Sequence, residues 1–162
     1  MSNKDLLIRW LNNAHMMENH LIPVLENHAK DMKKNPSAQQ RIRQHIDETR
    51  RHSERVERCL GLLGASPSSA KSTLASLMGS AQAVSTGLFK DELVKNALSD
   101  YATEQFEVAC YKALMIAARE SGQSEIAREC EENMREDEAM ATWLDQQLPT
   151  VVQESLEPVG AH

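Results

Sequence analysis

Glu104 falls on the apolar face of a helix. In the stretch DYATEQFEVACYKAL, Asp100 to Leu114, the apolar stripe runs through Ala97, Tyr101, Val108, Tyr111 and Met115, with Glu104 in its middle and Glu107 and Asp100 beside it. At about 100° per residue, the same placement recurs elsewhere. Glu18 shares a face with Ala14, Leu21, Ile22 and Leu25, while His15 sits off that line. Asp137 lies between Cys130, Met134, Ala141, Leu144 and Leu148, with Glu136 at the edge of the stripe. A further stripe carries His45 and His52, with Glu48 a turn from each and slightly to the side.

An ionised carboxylate in a low-dielectric interior costs several kcal/mol, and neighbouring carboxylates raise one another's pKa. Such acids must protonate, pair with arginine, reach water or bind a cation. Two divalent cations neutralise four carboxylates, and oxygen donors with imidazole suit iron or manganese. One acid on a helix stripe is an ordinary boundary residue. An inward acid on every helix of a bundle points to metal. Met17, Met115, Met134 and Met140 read as core fillers, Tyr101 and Tyr111 as core tyrosines with a bonded hydroxyl, a supporting place beside the metal being the lesser alternative, and His15 and His20 as surface or edge residues.

Four helices must position these groups. Periodicity and punctuation predict the first from about Asn3 to Met32, with Pro23 inside it, and the second from about Ser37 to Leu63, after Pro36. The third is predicted from about Lys90 to Ser121, closed by Gly122, and the fourth from Ser124 to about Leu148. Residues 1–150 then form one bundle, and 151–162, beyond Pro149, a tail with little helical pattern. Connections are short within each pair of helices, whereas the second-to-third link is long, weakly helical in its first half, and reads as carrying a short extra helix. Two hairpins joined by one long crossover make the ferritin-like form of the four-helix bundle. Counting about 1.5 Å per residue from the turns, Glu107 stands level with Asp137, Glu104 a turn beyond, and Glu18 level with His52.

Composition agrees. The chain has 162 residues, enough for one domain, and only 4% aromatic residues among plentiful helix formers, so an all-α fold is expected. A formal net charge of −6 argues against nucleic acid as a partner. Cys59, Cys110 and Cys130 are an odd number at wide spacing without a CxxC pair, which suits free thiols. The N-terminus turns polar before a signal core could form, and no apolar run approaches membrane-spanning length. A cytoplasmic protein without membrane contact is expected.

The segments HMMENHLIPVLENHAKDM, QHIDETRRHSERVERCLGLLG, DELVKNALSDYATEQFEVACYKAL and CEENMREDEAMATWLDQQLP resemble the four core helices of the YciE/YciF family of bacterial stress proteins, related to rubrerythrin within the ferritin-like superfamily. The resemblance spans about Leu6 to Val152. It implies a homodimer and a dinuclear iron or manganese centre that reacts with dioxygen or hydrogen peroxide as a ferroxidase or peroxide scavenger. It supports Glu18, His45 with Glu48, Glu104, Glu107 and Asp137 as metal ligands. Three positions depart from the family pattern: Gln105 replaces a histidine, Asp137 replaces a glutamate, and His52 stands where glutamine is usual and can supply an imidazole instead. The ExxH spacing of the wider superfamily is missing from the second and fourth helices, and the fourth has no histidine. These departures favour a competing expectation, a non-catalytic helical stress or interaction protein whose metal site has degenerated.

Overall fold

A computed structural model describes residues 2–68 and 91–156. They form four helices: α1 (Asn3–Asp31), α2 (Pro36–Leu62), α3 (Glu92–Glu120) and α4 (Ser124–Leu156). Each start has a local chemical reason. Ser2 caps α1 in a reciprocal capping box with Asp5, whose backbone N–H donates to Ser2 Oγ at 3.2 Å. The sequence suggests Ser37 as the cap of α2, but Asn35 takes that role, accepting from the Ala38 N–H at 3.1 Å with Pro36 at the first helical position. Asp91 caps α3 through the Val94 N–H at 3.1 Å. Gly64 and Gly122 follow α2 and α3 at φ near +70°, a conformation that glycine adopts without strain.

The contacts between helices fix the topology. Arg50 of α2 meets Glu26 of α1, while Gln39 reaches the carbonyl of Ala29. Asn96 and Asp100 of α3 meet Asp31 and His28 of α1. Arg55 and Arg58 of α2 meet Glu132 and Glu129 of α4. In each pair one number rises as the other falls, so the neighbours are antiparallel. Both α2 and α3 run against α1, and therefore parallel to each other. The chain between them must travel the length of the bundle, about 40 Å for the 27 residues of α2. The short extra helix expected in this link falls at 69–90, outside the described residues.

Leu7, Leu11, Met17, Ile42, Leu60, Ile126 and Met140 are fully buried in the main apolar core. The fourth helix is longer than the sequence suggests, continuing through Pro149 to Leu156. Pro149 lies on the exposed face, as does Asp145, whose carbonyl loses its helical donor and can turn to water. Leu148 and Val151 pack on Val94 and Ala97 of α3, and this burial offsets the broken hydrogen bond. Pro23 is likewise accommodated within α1. No helix among the described residues is long and apolar enough to cross a membrane.

Near that second apolar cluster, His28 Nδ1 and Asp100 Oδ1 lie 2.7 Å apart, both residues buried. Burial pushes the imidazolium down, but the hydrogen bond and charge of Asp100, with Asp31 and Glu92 beyond, outweigh it and leave His28 above its ordinary value. A raised folded-state pKa stabilises fully below the unfolded value, near pH 6.5, and is lost as pH rises through the folded one. Replacing His28→Gln should lower unfolding free energy by about 1–3 kcal/mol near pH 6. The deficit should shrink toward pH 9 in denaturant titrations; a difference independent of pH contradicts this assignment.

Candidate metal centre

The seven side chains singled out by sequence lie at the middle of the bundle, with distinct orientations. Glu18, His45, His52, Glu104, Glu107 and Asp137 are essentially inaccessible, at 0–2% exposure. Glu18 comes from α1, the imidazoles from α2, Glu104 and Glu107 from α3, and Asp137 from α4. The rings of His45 and His52, seven residues apart on one face of α2, stand edge to face with centroids 6.4 Å apart.

Each imidazole has one nitrogen held from outside and one aimed at the centre. The outer Nδ1 of His45 lies 2.9 Å from Glu48 Oε2, and its inner Nε2 lies 2.9 Å from Glu104 Oε1. For His52 the roles of the two nitrogens are exchanged. Its Nε2 is 2.7 Å from Glu136 Oε2, whereas its Nδ1 stands 3.4 Å from Asp137 Oδ1 and 3.6 Å from Glu18 Oε1. An outer carboxylate fixing the tautomer and orientation of a histidine is the arrangement that metal-ligating histidines use.

Arginine stops at the outer ring. Arg55 donates to Glu136 at 2.8 Å, Glu132 at 2.7 Å and Asn133 at 2.9 Å, and Arg41 donates to Glu48 at 3.3 Å. Against the burial that opposes it, the hydrogen bonds of His52 and Arg55 hold Glu136 down at about 2. No guanidinium reaches the inner acids among the described residues. Glu18 Oε2, Glu104 Oε2, both carboxylate oxygens of Asp137 and His52 Nδ1 are buried without a hydrogen-bond partner among the described residues. Such orphans are rare in a native interior, because each loses water without a replacement.

The electrostatics follow. Burial, reinforced by Glu18, Asp137 and Glu104, pushes Glu107 well above the usual carboxylate range. Burial and the charges of Glu104 and Glu18 do the same to Asp137. Glu104 is raised by burial even though His45 opposes the shift. His45 is drawn the other way: burial lowers it, but Glu104 and Glu48 lift it to about 9. The centre is thus short of positive charge.

A bound cation would supply what is missing. Ligand atoms of His45, Glu104 and Asp137, from three helices, all lie within 4.8 Å of one another. The orphaned nitrogen of His52 lies between Asp137 and Glu18, and Glu107 adds a further buried carboxylate. Hard oxygen donors mixed with imidazole fit iron or manganese better than a thiolate-preferring metal. Glu48, expected among the donors, has its carboxylate taken by His45, Arg41 and by Gln44 at 3.0 Å, so it orients His45 from outside.

Two side chains outside the expected ligand set support the centre. Tyr111 is wholly buried and its hydroxyl donates to Glu18 Oε1. Its position, one turn after Glu107 and two after Glu104 on the same stripe, was the available signal. Glu136, at the stripe's edge, takes the outer nitrogen of His52. Asp100 joins His28 rather than the centre.

Antiparallel neighbouring helices, with α2 and α3 parallel to each other, and a carboxylate–imidazole cluster at mid-depth define a ferritin-like four-helix fold. The chain belongs to the family described as a domain of unknown function, DUF892, whose model matches residues 2–157. A protein from Xanthomonas campestris is 32% identical, with 95% of each chain covered and a TM-score of 0.80. The Escherichia coli stress protein YciF shares the fold at 19% identity, covering 94% of this chain and 98% of its own, with a TM-score of 0.79. A Desulfovibrio desulfuricans bacterioferritin, described with its diiron site in different catalytic states, matches at 19% identity over 93% of this chain and 82% of its own, with a TM-score of 0.75. At those two identities the likeness is one of fold. The YciE/YciF resemblance of the helices is borne out.

If charge crowding governs the centre, removing one acid from metal-free protein should not behave like an ordinary core substitution, which costs about 0.5–3 kcal/mol. Glu107→Gln and Asp137→Asn should leave the metal-free midpoint unchanged or raise it by roughly 2–4 °C per kcal/mol of relieved repulsion. A fall of several degrees in both, followed calorimetrically, contradicts the crowding.

Proposed function

We propose that the chain holds a dinuclear iron, or alternatively manganese, carboxylate centre that reacts with dioxygen or hydrogen peroxide, as a ferroxidase or peroxide-consuming stress protein. The observation that carries this reading is the set of orphaned buried donors on α1, α2, α3 and α4 converging on one region. Bound iron or manganese supplies redox chemistry toward those oxidants.

The chain's own residues do the rest. Glu18, Glu104, Glu107 and Asp137 offer oxygen donors and compensate cationic charge. His45 Nε2 and His52 Nδ1 are the nitrogen donors. Glu48 and Glu136 hold the opposite nitrogens and so prevent the rings from turning away. Tyr111 holds one oxygen of Glu18 by hydrogen bond and leaves the other free. The apolar layers above and below exclude bulk water, which strengthens every electrostatic contact inside. The protein acts as a homodimer, as its family resemblance implies, and its free cysteines suit the reducing cytoplasm.

A second reading is favoured by one observation. His45, lifted to about 9 and bonded to both Glu48 and Glu104, partly neutralises the centre without any metal. In that reading the chain is a helical stress or interaction protein with a degenerate site.

Metal titration separates the two. Metal-free protein mixed anaerobically with ferrous iron or manganous ion should bind two equivalents per chain. Saturation of both sites at about a hundredfold excess over the dissociation constant should raise the midpoint by roughly 10–20 °C. Glu104→Ala should lose both effects. Protein that takes up neither ion, with an unchanged midpoint, overturns the proposal in favour of the second reading.

A further inference from the structure

An apolar cavity of about 210 Å³ opens between α1 and α3. Trp10 and Met17 form its α1 side, and Phe106, Cys110 and Ala113 its α3 side, while Asn13 is a polar side chain at its exposed rim. Apolar cavities of about 150 Å³ stay dry and take up benzene, so this one is large enough for a substituted single ring. Aromatic faces and a thioether suit an aromatic guest.

The cavity also adjoins the carboxylate centre. Met17 precedes Glu18, Phe106 precedes Glu107, and Cys110 precedes Tyr111, which bonds Glu18. Burial, together with the nearby charges of Glu18 and Asp137, holds the Cys110 thiol up at about 11, so its neutral sulfur faces the cavity rather than a thiolate. A ring seated there is walled by apolar side chains, and the buried acids Glu18 and Glu107 are the next residues in sequence after two of them, Met17 and Phe106. Among the described residues the lining offers no cationic side chain to hold an anionic guest.

We propose that this cavity is a binding site for a small neutral aromatic molecule, such as a phenol, placed beside the carboxylate centre. The binding itself stands on the cavity; its use by a redox centre rests on the proposed function.

The probe is 4-fluorophenol, followed by its fluorine NMR signal, with 4-fluorobenzoate as the anionic control. Full-length metal-free protein should bind 4-fluorophenol saturably, one per chain, and the benzoate at least tenfold more weakly. Ala113→Trp at the exposed rim, and independently Cys110→Leu on the α3 wall, should each weaken phenol binding at least tenfold. Absence of saturable binding, equal binding of the benzoate, or binding indifferent to both substitutions overturns the proposal. So does binding that disappears as the protein is concentrated, because a second copy then fills the cavity.

Cobaltous ion adds a separate arm. Protein loaded with it should broaden the bound probe's signal paramagnetically, and a sharp signal from bound probe on cobalt-loaded protein contradicts the placement beside the centre. Failure of cobalt to load while phenol still binds counts against the metal centre and leaves the aromatic site standing.

Discussion

Three helices carry acids into one low-dielectric layer and α2 brings imidazoles to meet them, and everything else in the bundle is arranged around that electrostatic debt. The inner acids Glu18, Glu104, Glu107 and Asp137 have two imidazoles and a phenol among them, and no guanidinium among the described residues. A sequence selected only for stability would fill this layer with leucine, since replacing buried ionic groups by packed apolar ones is often neutral or stabilising. The apolar layers on either side supply the folding free energy that this centre does not.

An outer ring of charge keeps the centre open. Arg55 and Arg41 are engaged by Glu136, Glu132 and Glu48 rather than by inner carboxylates. Those outer acids in turn hold the far nitrogens of His52 and His45. Charge therefore alternates from the surface inward: acid, arginine, acid, imidazole, and then the unsatisfied donors. Deleting Glu136 has two consequences on this view, because it frees Arg55 to swing inward and frees the ring of His52 to rotate.

Much of this is legible in the sequence. The inward acids stood out because the surrounding stripes are regular at the helical period, and loop lengths alone distinguished the ferritin-like connection from a simple up-and-down bundle. Asn35 was missed because a proline beside a serine draws attention to the serine. The extension past Pro149 was missed because a proline's local penalty is visible in sequence, whereas the packing of Val151 on Val94 and Ala97 is not. Glu48 and Glu136 show the limit of helical wheels. Each lies near a stripe's edge, and only side-chain direction decides that both serve histidines from outside. The pairing of Asp100 with His28 depends on the relative height of α1 and α3, which counting residues from distant turns does not fix.

The central claim is that cations make this layer of acids tolerable. Crystals of the protein soaked in ferrous or manganous salt test it directly through anomalous scattering at the metal edge. The account predicts two peaks per chain, one touching His45 Nε2, Glu104 and Asp137 and the other His52 Nδ1 and Glu18. A metal-free map after soaking, with these carboxylates hydrogen-bonded to one another or to an inward-turned Arg55, would contradict it.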